Sequence, residues 1–259
     1  MMTALWTSAT GMSAQQAYID VIANNLANVN TTSFKKSQIE FQDLLYQTER
    51  IAGSPHASGT TPVGVQIGLG VRTASVYKVF TQGGLKNTGN ALDLAIEGEG
   101  FFQVMVSDVE MYTRAGAFQI NEDGVIVTPD GYPLQPEFTV PAEAKNITIS
   151  PQGEINVLDS AGNVIASADI PIYTFINPAG LDARGRNLYA PTLASGDPIE
   201  GEPGVEQVGT IAQGFLEMSN VSVVDEMVNM ITGQRAYEMN SKSIQTADAM
   251  LQTVAGLKR

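Results

Sequence analysis

The spacing of apolar residues divides the chain into two helical ends and a β-rich middle. Apolar side chains recur at intervals of three and four residues across positions 5–29 and 221–257, and this rhythm predicts amphipathic α-helices. Between them, short apolar or alternating runs are separated by turn residues, as in antiparallel β-structure. Two terminal helices suited to pair with each other, with a β body between them, are more typical of a polymer subunit than of an enzyme.

The N-terminal helix carries a narrow apolar seam with the seven-residue repeat of a coiled coil. Ile22 and Val29 widen this seam on one side, and residues 30–33 predict the end of the helix. The seam suits a partner helix, and the alternative is an ordinary amphipathic helix that lies on its own domain. Its members, one of them polar, are Leu5, Ala9, Met12, Gln16, Ile19, Ala23 and Leu26.

A longer helix is predicted at the other end of the chain. Ser222 and Asp225 have capping-box spacing, and the proline-free stretch that follows would form roughly 36 residues of helix, about 54 Å long. A compact body of this size cannot cover such a helix. Arg235 lies one turn from Glu238, where either an exposed ion pair or a contact with a neighbouring helix is expected. The residues that follow the helical rhythm are Val224, Met227, Val228, Ile231, Tyr237, Ile244, Ala247, Met250, Leu251, Val254 and Leu257.

The helical surfaces are expected to need neighbouring copies of the chain. Each large seam residue contributes roughly 1.5–3 kcal/mol when it is fully buried, whereas ordering one backbone residue costs about 1–2 kcal/mol. Backbone hydrogen bonds offset only part of that cost. We therefore predict that the N-terminal helix is marginal in a free monomer. We also predict that the apolar seam residues, Ile22, Arg235 and the C-terminal residues of the helical rhythm other than Ala247 and Leu257 form a subunit interface.

The middle of the chain predicts an antiparallel sandwich or barrel. The fold class is therefore α+β, with long terminal helices in a coiled-coil-like domain (1–33 with 218–259), an extended β arm and connecting segment (34–86) and an antiparallel all-β body (87–217). Within the arm, residues 51–70 are rich in Gly, Ser, Thr and Pro. Strand patterns cover residues 92–97, 101–106, 117–120, 125–127, 146–149, 154–158 and 170–176.

The amino-acid composition limits the classes of molecule that can bind the chain. The chain has 14 basic and 27 acidic residues, and its net charge of −13 repels nucleic acid and anionic lipid. Partners should therefore be proteins or neutral surfaces. The absence of cysteine excludes disulfides and thiolate metal sites. The first residues lack a basic n-region, and no apolar run approaches the ~18 residues of a membrane span, so we predict neither a cleaved signal peptide nor membrane insertion.

Candidate catalytic groups are few. The single histidine, His56, lies in a flexible polar stretch that could hardly hold a general base in place. No P-loop is present, and a transition-metal site would need carboxylates almost alone, so no catalytic residue, metal or cofactor is predicted. Asp93, Glu97 and Glu99 could form a glycosidase-like pair. Solvated faces and turn caps explain them more simply, and a carbohydrate-binding or hydrolytic β protein is the minor alternative.

Three separated stretches of the chain carry recognisable motifs. They are ALWT to GM (4–12), DVIANNLANVNT (20–31) and FKK (34–36); TGNALDLAIEGEGFFQV (88–104) and YTRAGAF (112–118); and GFLEMSNVSVVDEMVNMITGQRAYEMNSKSIQTADAML (214–251). These motifs resemble the bacterial flagellar rod and hook protein family, in the family's order and over nearly the whole chain. One departure is Ser33, where the family often has Gly, and a serine with positive φ would be strained there.

The resemblance implies a structural role and no enzymatic activity. Length and the arm at 47–70 resemble the distal rod type of subunit, with the proximal rod relative as the alternative. Such subunits stack head to tail in an open helical array, with the terminal helices as an inner tube that transmits torque through the periplasm from motor to hook. The implied partners are other copies of the chain, other rod proteins, hook-side proteins, the ring proteins that form a bushing, and the flagellar export apparatus, which accepts chains without a cleaved signal.

Overall fold

The chain begins and ends in helices, as its apolar rhythm predicts. A computed structural model describes residues 2–53, 55–56, 59–60, 62–141, 143–160, 162–205 and 208–256. Helix α1 spans Met2–Ala27 and α2 spans Val223–Gly256, about 39 and 51 Å long. The predicted cap is confirmed, because the Asp225 N–H donates to Ser222 Oγ at 3.5 Å. Leu257, predicted to continue the rhythm, lies outside the described residues.

Short strands and the 3₁₀ turn η1 (Pro178–Gly180) lie between the helices. In chain order the strands are β1 (Ser37–Asp43), β2 (Tyr46–Arg50), β3 (Pro55–His56), β4 (Gly59–Thr60), β5 (Val65–Gly68), β6 (Val71–Lys78), β7 (Leu85–Asn87), β8 (Leu94–Glu97), β9 (Phe102–Val106), β10 (Val109–Thr113), β11 (Gln119–Ile120), β12 (Ile126–Val127), β13 (Asn146–Ile149), β14 (Glu154–Leu158), β15 (Val164–Asp169), β16 (Ile172–Thr174), β17 (Asp182–Gly185), β18 (Leu188–Ala190), β19 (Ile199–Gly201), β20 (Thr210–Gln213) and β21 (Phe215–Glu217).

The chain forms two compact units. The first, which we call the helical unit, contains Met1–Ala27, Ser37–Tyr77 and Ser222–Arg259. Besides both helices it holds two-stranded ribbons, in which β1 pairs with β6, β2 with β5 and β3 with β4. The segment predicted as an extended arm is therefore built largely from these ribbons. The second unit, the β body, contains Asn28–Lys36 and Lys78–Val221. The three-part division expected from the sequence stays a prediction.

The β body is antiparallel, as predicted, but it is divided among several small sheets rather than one sandwich or barrel. Its largest sheet has the strand order β17-β18-β10-β9, and a three-stranded sheet has the order β13-β14-β15. Further pairs join β7 to β21, β8 to β20, β11 to β12 and β16 to β19. Strands of two to six residues, broken by turns, limit how far any one ladder extends.

Two buried clusters hold the β body together. The larger is aliphatic, with Phe102 packed edge-on against Phe118 at 5.5 Å between ring centroids. The smaller is aromatic and contains Phe101, Tyr112 and Tyr189. The predicted turn between β8 and β9 uses Gly98 and Gly100, whose φ angles of +115° and +137° are accessible at low cost only to glycine.

Candidate assembly surfaces and a buried ion triad

Helices α1 and α2 pack antiparallel within the helical unit. Ser8 and Ser243 share a hydrogen bond of 3.3 Å between their hydroxyl oxygens, and further along α1 the side chains of Tyr18 and Ile19 lie over Gly233. A Cβ added at Gly233 would lie 3.2 Å from Tyr18 and 3.3 Å from Ile19. Glycine therefore lets the two helix backbones approach closely at this point. Coiled-coil geometry for the pair remains a prediction.

The opposite side of α2 carries apolar side chains that the chain itself leaves exposed. Val224, Met227, Val228 and Ile231 are 71, 53, 57 and 52 % exposed. At ~100° per residue they point about 180° away from Gly233, and their i, i+3, i+4, i+7 spacing makes one continuous stripe. We call these four residues the α2 apolar face. An apolar stripe of this kind on a protein surface marks an interaction site.

The C-terminal turns of α2 carry further exposed apolar side chains. Met250, Leu251 and Val254 are all exposed. The pairing of Ser8 with Ser243 leaves these residues beyond the start of α1, because the helices run in opposite directions and α1 begins at Met2. Among the described residues, therefore, no helix of the same chain lies beside the end of α2.

The remaining predicted residues of α2 divide between its two sides. Arg235 projects from the side of the α2 apolar face and is exposed. Tyr237 and Ile244 lie on the side that faces α1, where Ile244 is half-buried and Tyr237 remains exposed. That the α2 residues contact other copies of the chain stays a prediction.

The predicted seam of α1 is only partly covered within the chain. The side of α1 that faces α2 is rotated by about a quarter turn from the seam. Ser8 and Ala14 are therefore buried, whereas the seam residues lie at the edge of the contact between the helices. This leaves the seam available as a second surface, and its role between copies stays a prediction. Ile22 is 2 % exposed; Leu5, Met12, Ile19 and Leu26 are half-buried; Ala9 and Ala23 are exposed.

A buried ion triad lies inside the β body. Lys35 Nζ is 2.7 Å from Glu217 Oε1, and Arg114 Nε is 2.8 Å from Glu217 Oε2. The side chains of Lys35 and Glu217 are fully buried and that of Arg114 is 3 % exposed. Further donors are also used, since Lys35 Nζ donates to the Thr81 carbonyl and the guanidinium donates to the Gly100 carbonyl at 3.1 Å.

The charges of the triad depend on one another. Burial alone would raise the pKa of Glu217, but Arg114 and Lys35 outweigh burial and hold that pKa below its ordinary value. Burial, with the like charge of Arg114, lowers the pKa of Lys35 despite Glu217. Removing one member of such a buried group leaves an uncompensated charge, which is strongly destabilising. The triad therefore fixes three distant parts of the chain together.

Ser33 adds to this site and confirms the strain expected from the sequence. Its φ is +56°, in the left-handed region that serine adopts at a cost. Two hydrogen bonds hold it there, because its N–H donates to the Glu217 carbonyl at 2.8 Å and its Oγ donates to the Arg114 carbonyl at 2.8 Å. Lys35, Arg114 and Glu217 were not identified as site residues from the sequence, although each lies in one of the three stretches that carry the family resemblance.

The residues weighed for catalysis show ordinary structural contacts. Asp93 is buried and accepts hydrogen bonds from Thr88 Oγ1 at 2.6 Å and Asn90 Nδ2 at 3.0 Å, so it caps a turn. Glu97 and Glu99 are exposed. Within the described residues, no group of three or more His, Cys, Asp or Glu side chains is arranged to hold a metal ion. The side chain of His56 lies outside the described residues.

Comparisons with known proteins agree with this arrangement. Residues 5–35 match the family described as flagella basal body rod protein, residues 95–157 the flagellar hook protein FlgE/F/G D1 domain, and residues 212–257 the flagellar basal body rod FlgEFG protein C-terminal. The flagellar basal-body rod protein FlgG of Borreliella burgdorferi is 49 % identical over 100 % of both chains. Proteins of the same name are 47 % identical in Agrobacterium fabrum, over 98 % of both chains, and 40 % in Bacillus subtilis, over 100 % of both.

This chain belongs to the flagellar basal-body rod protein family. The family resemblance found in the sequence is therefore confirmed, and the protein is located in the basal body of the flagellum. Each of the three matched regions of this rod protein supplies one member of the ion triad: Lys35, Arg114 and Glu217. Neither described helix has the combination of length and apolar character that crossing a membrane requires.

Proposed function

We propose that the chain is a structural axial subunit of the distal rod, which polymerises head to tail into a helical tube and transmits torque from motor to hook. The observation that carries this proposal is the α2 apolar face, which is exposed in the single chain. Full burial of such side chains stabilises by roughly 1.5–3 kcal/mol each. Contact with helices of other copies would provide that burial, and Met250, Leu251 and Val254 are further exposed apolar residues of the same helix.

The finer features of this role rest on the family and on the sequence. The partners are other copies of the chain, other rod proteins, hook-side proteins, the ring proteins of the bushing and the export apparatus. The rod spans the periplasm, and the chain reaches it without a cleaved signal. The role is mechanical rather than catalytic. A proximal rod position is the second candidate, and labelling the chain along isolated basal bodies distinguishes the two.

The test replaces the α2 apolar face without touching the packing on α1. We expect Val224→Gln, Met227→Gln and Ile231→Gln together to abolish assembly and motility, while far-UV circular dichroism and urea midpoint stay close to those of the wild type. The matched control is Val109→Gln, Val164→Gln and Ile199→Gln, three comparably exposed residues of the β body. Assembly of the α2 variant to the wild-type extent would contradict the proposal.

A further inference from the structure

The β body contains an open acidic groove whose function the helical surfaces do not explain. It measures about 930 Å³ and is lined by Glu154, Asp169, Glu200 and Glu202, together with Tyr173 and Gln103. Its described lining includes no Lys, Arg or His, and none of these carboxylates forms a salt bridge with a described residue. We call this site the acidic groove.

Strand register places like charges directly opposite each other at this groove. Glu154 of β14 is paired with Asp169 of β15, and like charges in directly opposed positions destabilise a sheet. Tyr173 is paired with Glu200 in the neighbouring ribbon, so an aromatic ring and a carboxylate lie side by side on one face. Opposed carboxylates beside a half-buried tyrosine ring are a suitable environment for a cation that a partner supplies.

A buried hydroxyl beside the groove also lacks a hydrogen-bond partner. Gln103, which is 7 % exposed and lines the groove, is paired with Tyr112 in the next strand, and directly paired side chains share one face of a sheet. The Tyr112 ring packs edge-on against Tyr173, another lining residue, at 5.5 Å. The Tyr112 hydroxyl is fully buried and makes no hydrogen bond of ordinary geometry with a described residue, although the side chains of Gln103 and Glu110 are near enough to affect its pKa. A buried polar group of this kind calls for a polar neighbour.

The matching positive charge lies on a hairpin of the same unit. Strands β17 and β18 are joined through Arg186 and Asn187, whose φ angles of +53° and +59° make a tight turn. The side chains of Arg184 and Arg186 are 61 and 63 % exposed. We call β17 and β18 with this turn the arginine hairpin. Two exposed arginines in one hairpin are distinctive in a chain with 14 basic residues and a net charge of −13.

Exposed local contacts hold these arginines, and docking would exchange them for new ones. Arg184 Nε lies 2.9 Å from Asp182, Arg186 Nε lies 4.0 Å from Asp130, and Arg186 Nη1 donates to the Tyr132 hydroxyl at 2.6 Å. Ion pairs this exposed contribute about 0–1 kcal/mol. A guanidinium that stacks on a tyrosine ring and makes two hydrogen bonds to a carboxylate is bound more strongly than one in an exposed ion pair. The Tyr173 and Glu200 pair offers that combination.

The two surfaces form no ion pair with each other among the described residues of one molecule. In the sheet β17-β18-β10-β9, the hairpin forms one edge and Gln103 lies in the strand at the other edge. Register continues across the sheet from Ala183 to Tyr189, Tyr112 and Gln103, so these edges are about 14 Å apart. Complementary surfaces at different places on one subunit allow head-to-tail contacts, which build an open helical array where the rotation does not close into a ring.

We propose that the arginine hairpin of one copy docks in the acidic groove of the next copy. This contact rests on the proposed role as a polymer subunit and adds a link between β bodies to the contacts of the α2 apolar face. Arg184 and Arg186 supply the charge, Glu200 and Glu202 receive it, and Tyr173 offers its ring. The contact sets direction along the array because hairpin and groove are different surfaces.

The cysteine-free sequence permits a direct test. In the full chain, Arg184→Cys and Glu202→Cys together should form disulfide-linked ladders when assembled material is oxidised, whereas each single variant should give no bands beyond dimers. The control pair is Lys145→Cys with Glu122→Cys, two exposed residues outside both surfaces, and should give no ladder. Assembled material in which the Arg184/Glu202 pair gives no ladder, or no more than the control pair, overturns the proposal.

Charge reversal tests the same contact by a second route. We expect Arg184→Glu with Arg186→Glu to lower the assembled fraction by about tenfold or more, equivalent to about 1.4 kcal/mol, and Glu200→Arg with Glu202→Arg to restore it. Lys86→Glu with Lys145→Glu changes net charge equally and should have little effect. An equal loss in that control, or no rescue, counts against the contact. If instead the α2 variant assembles normally, the polymer role itself fails, so the two failures are distinguishable.

Discussion

The Nζ atom of Lys35 lies 2.7 Å from Oε1 of Glu217, although 182 positions separate the two residues in the chain. Lys35 follows shortly after α1, and Glu217 ends the last strand before α2. With Arg114 they join the β-body segments that border both helices. The triad therefore holds together the residues through which the chain leaves one helix and enters the other.

Replacing Glu217 should have the largest effect of any single charge change in the β body. In Glu217→Gln the buried cations of Lys35 and Arg114 lose their counter-ion, and breaking a buried pair in this way costs about 3–5 kcal/mol. The free energy of unfolding from urea titration measures the effect. Glu137→Gln, at an exposed carboxylate of the same unit, is the control and should change stability by less than about 0.5 kcal/mol.

The contribution of Glu217 should disappear in acid. Arg114 and Lys35 hold its pKa below the ordinary value of 4.5 in the folded protein. As pH falls, the unfolded chain binds the proton first, so stability is lost as pH falls through the folded pKa. The difference in unfolding free energy between wild type and Glu217→Gln should be constant between about pH 5 and 8 and should shrink below pH 4.5. A difference that grows in acid would contradict this assignment.

Substitutions at Ser33 should reverse the usual preference for alanine over glycine. Ser33→Ala keeps the positive φ and loses the hydrogen bond to the Arg114 carbonyl, which should cost about 1–2 kcal/mol. Ser33→Gly loses the same bond but relieves the backbone strain, so it should stay within about 1 kcal/mol of the wild type. Urea titration of both variants decides the order. Alanine more stable than glycine here would show that the strain is unimportant.

Gly233 should tolerate no large side chain, because Tyr18 and Ile19 of α1 lie against it. We expect Gly233→Leu to separate the helices and to raise the hydrogen-exchange rate of α1 amides severalfold. Ala249→Leu adds a similar side chain at an exposed position of α2 and should leave these rates unchanged. Unaltered exchange in Gly233→Leu would mean that α1 does not depend on this contact.

The sequence predicted the elements better than their contacts. Apolar periodicity identified both helices and the antiparallel body, and a motif departure identified the strained Ser33. Periodicity could not find the side of α1 that faces α2, because that contact is centred on the small residues Ser8 and Gly233 and includes only the edge of the apolar seam, at Ile19. Nor could it divide the body into small sheets, since strand pairing depends on contacts between distant segments.

The ion triad shows why buried charged residues are hard to predict from a single sequence. Lys35, Arg114 and Glu217 lie far apart in the chain, and charged residues are ordinarily exposed. Only the fold shows that the three meet. The acidic groove could not be predicted for the same reason, because its carboxylates come from separate parts of the chain.

The most direct test of the account is an electron cryomicroscopy map of the chain in its assembled form. We predict that α1 and α2 of many copies form the wall of a central channel, with Val224, Met227 and Ile231 buried between neighbouring copies. An assembly in which these three side chains face solvent while the β bodies make all the contacts would contradict the account.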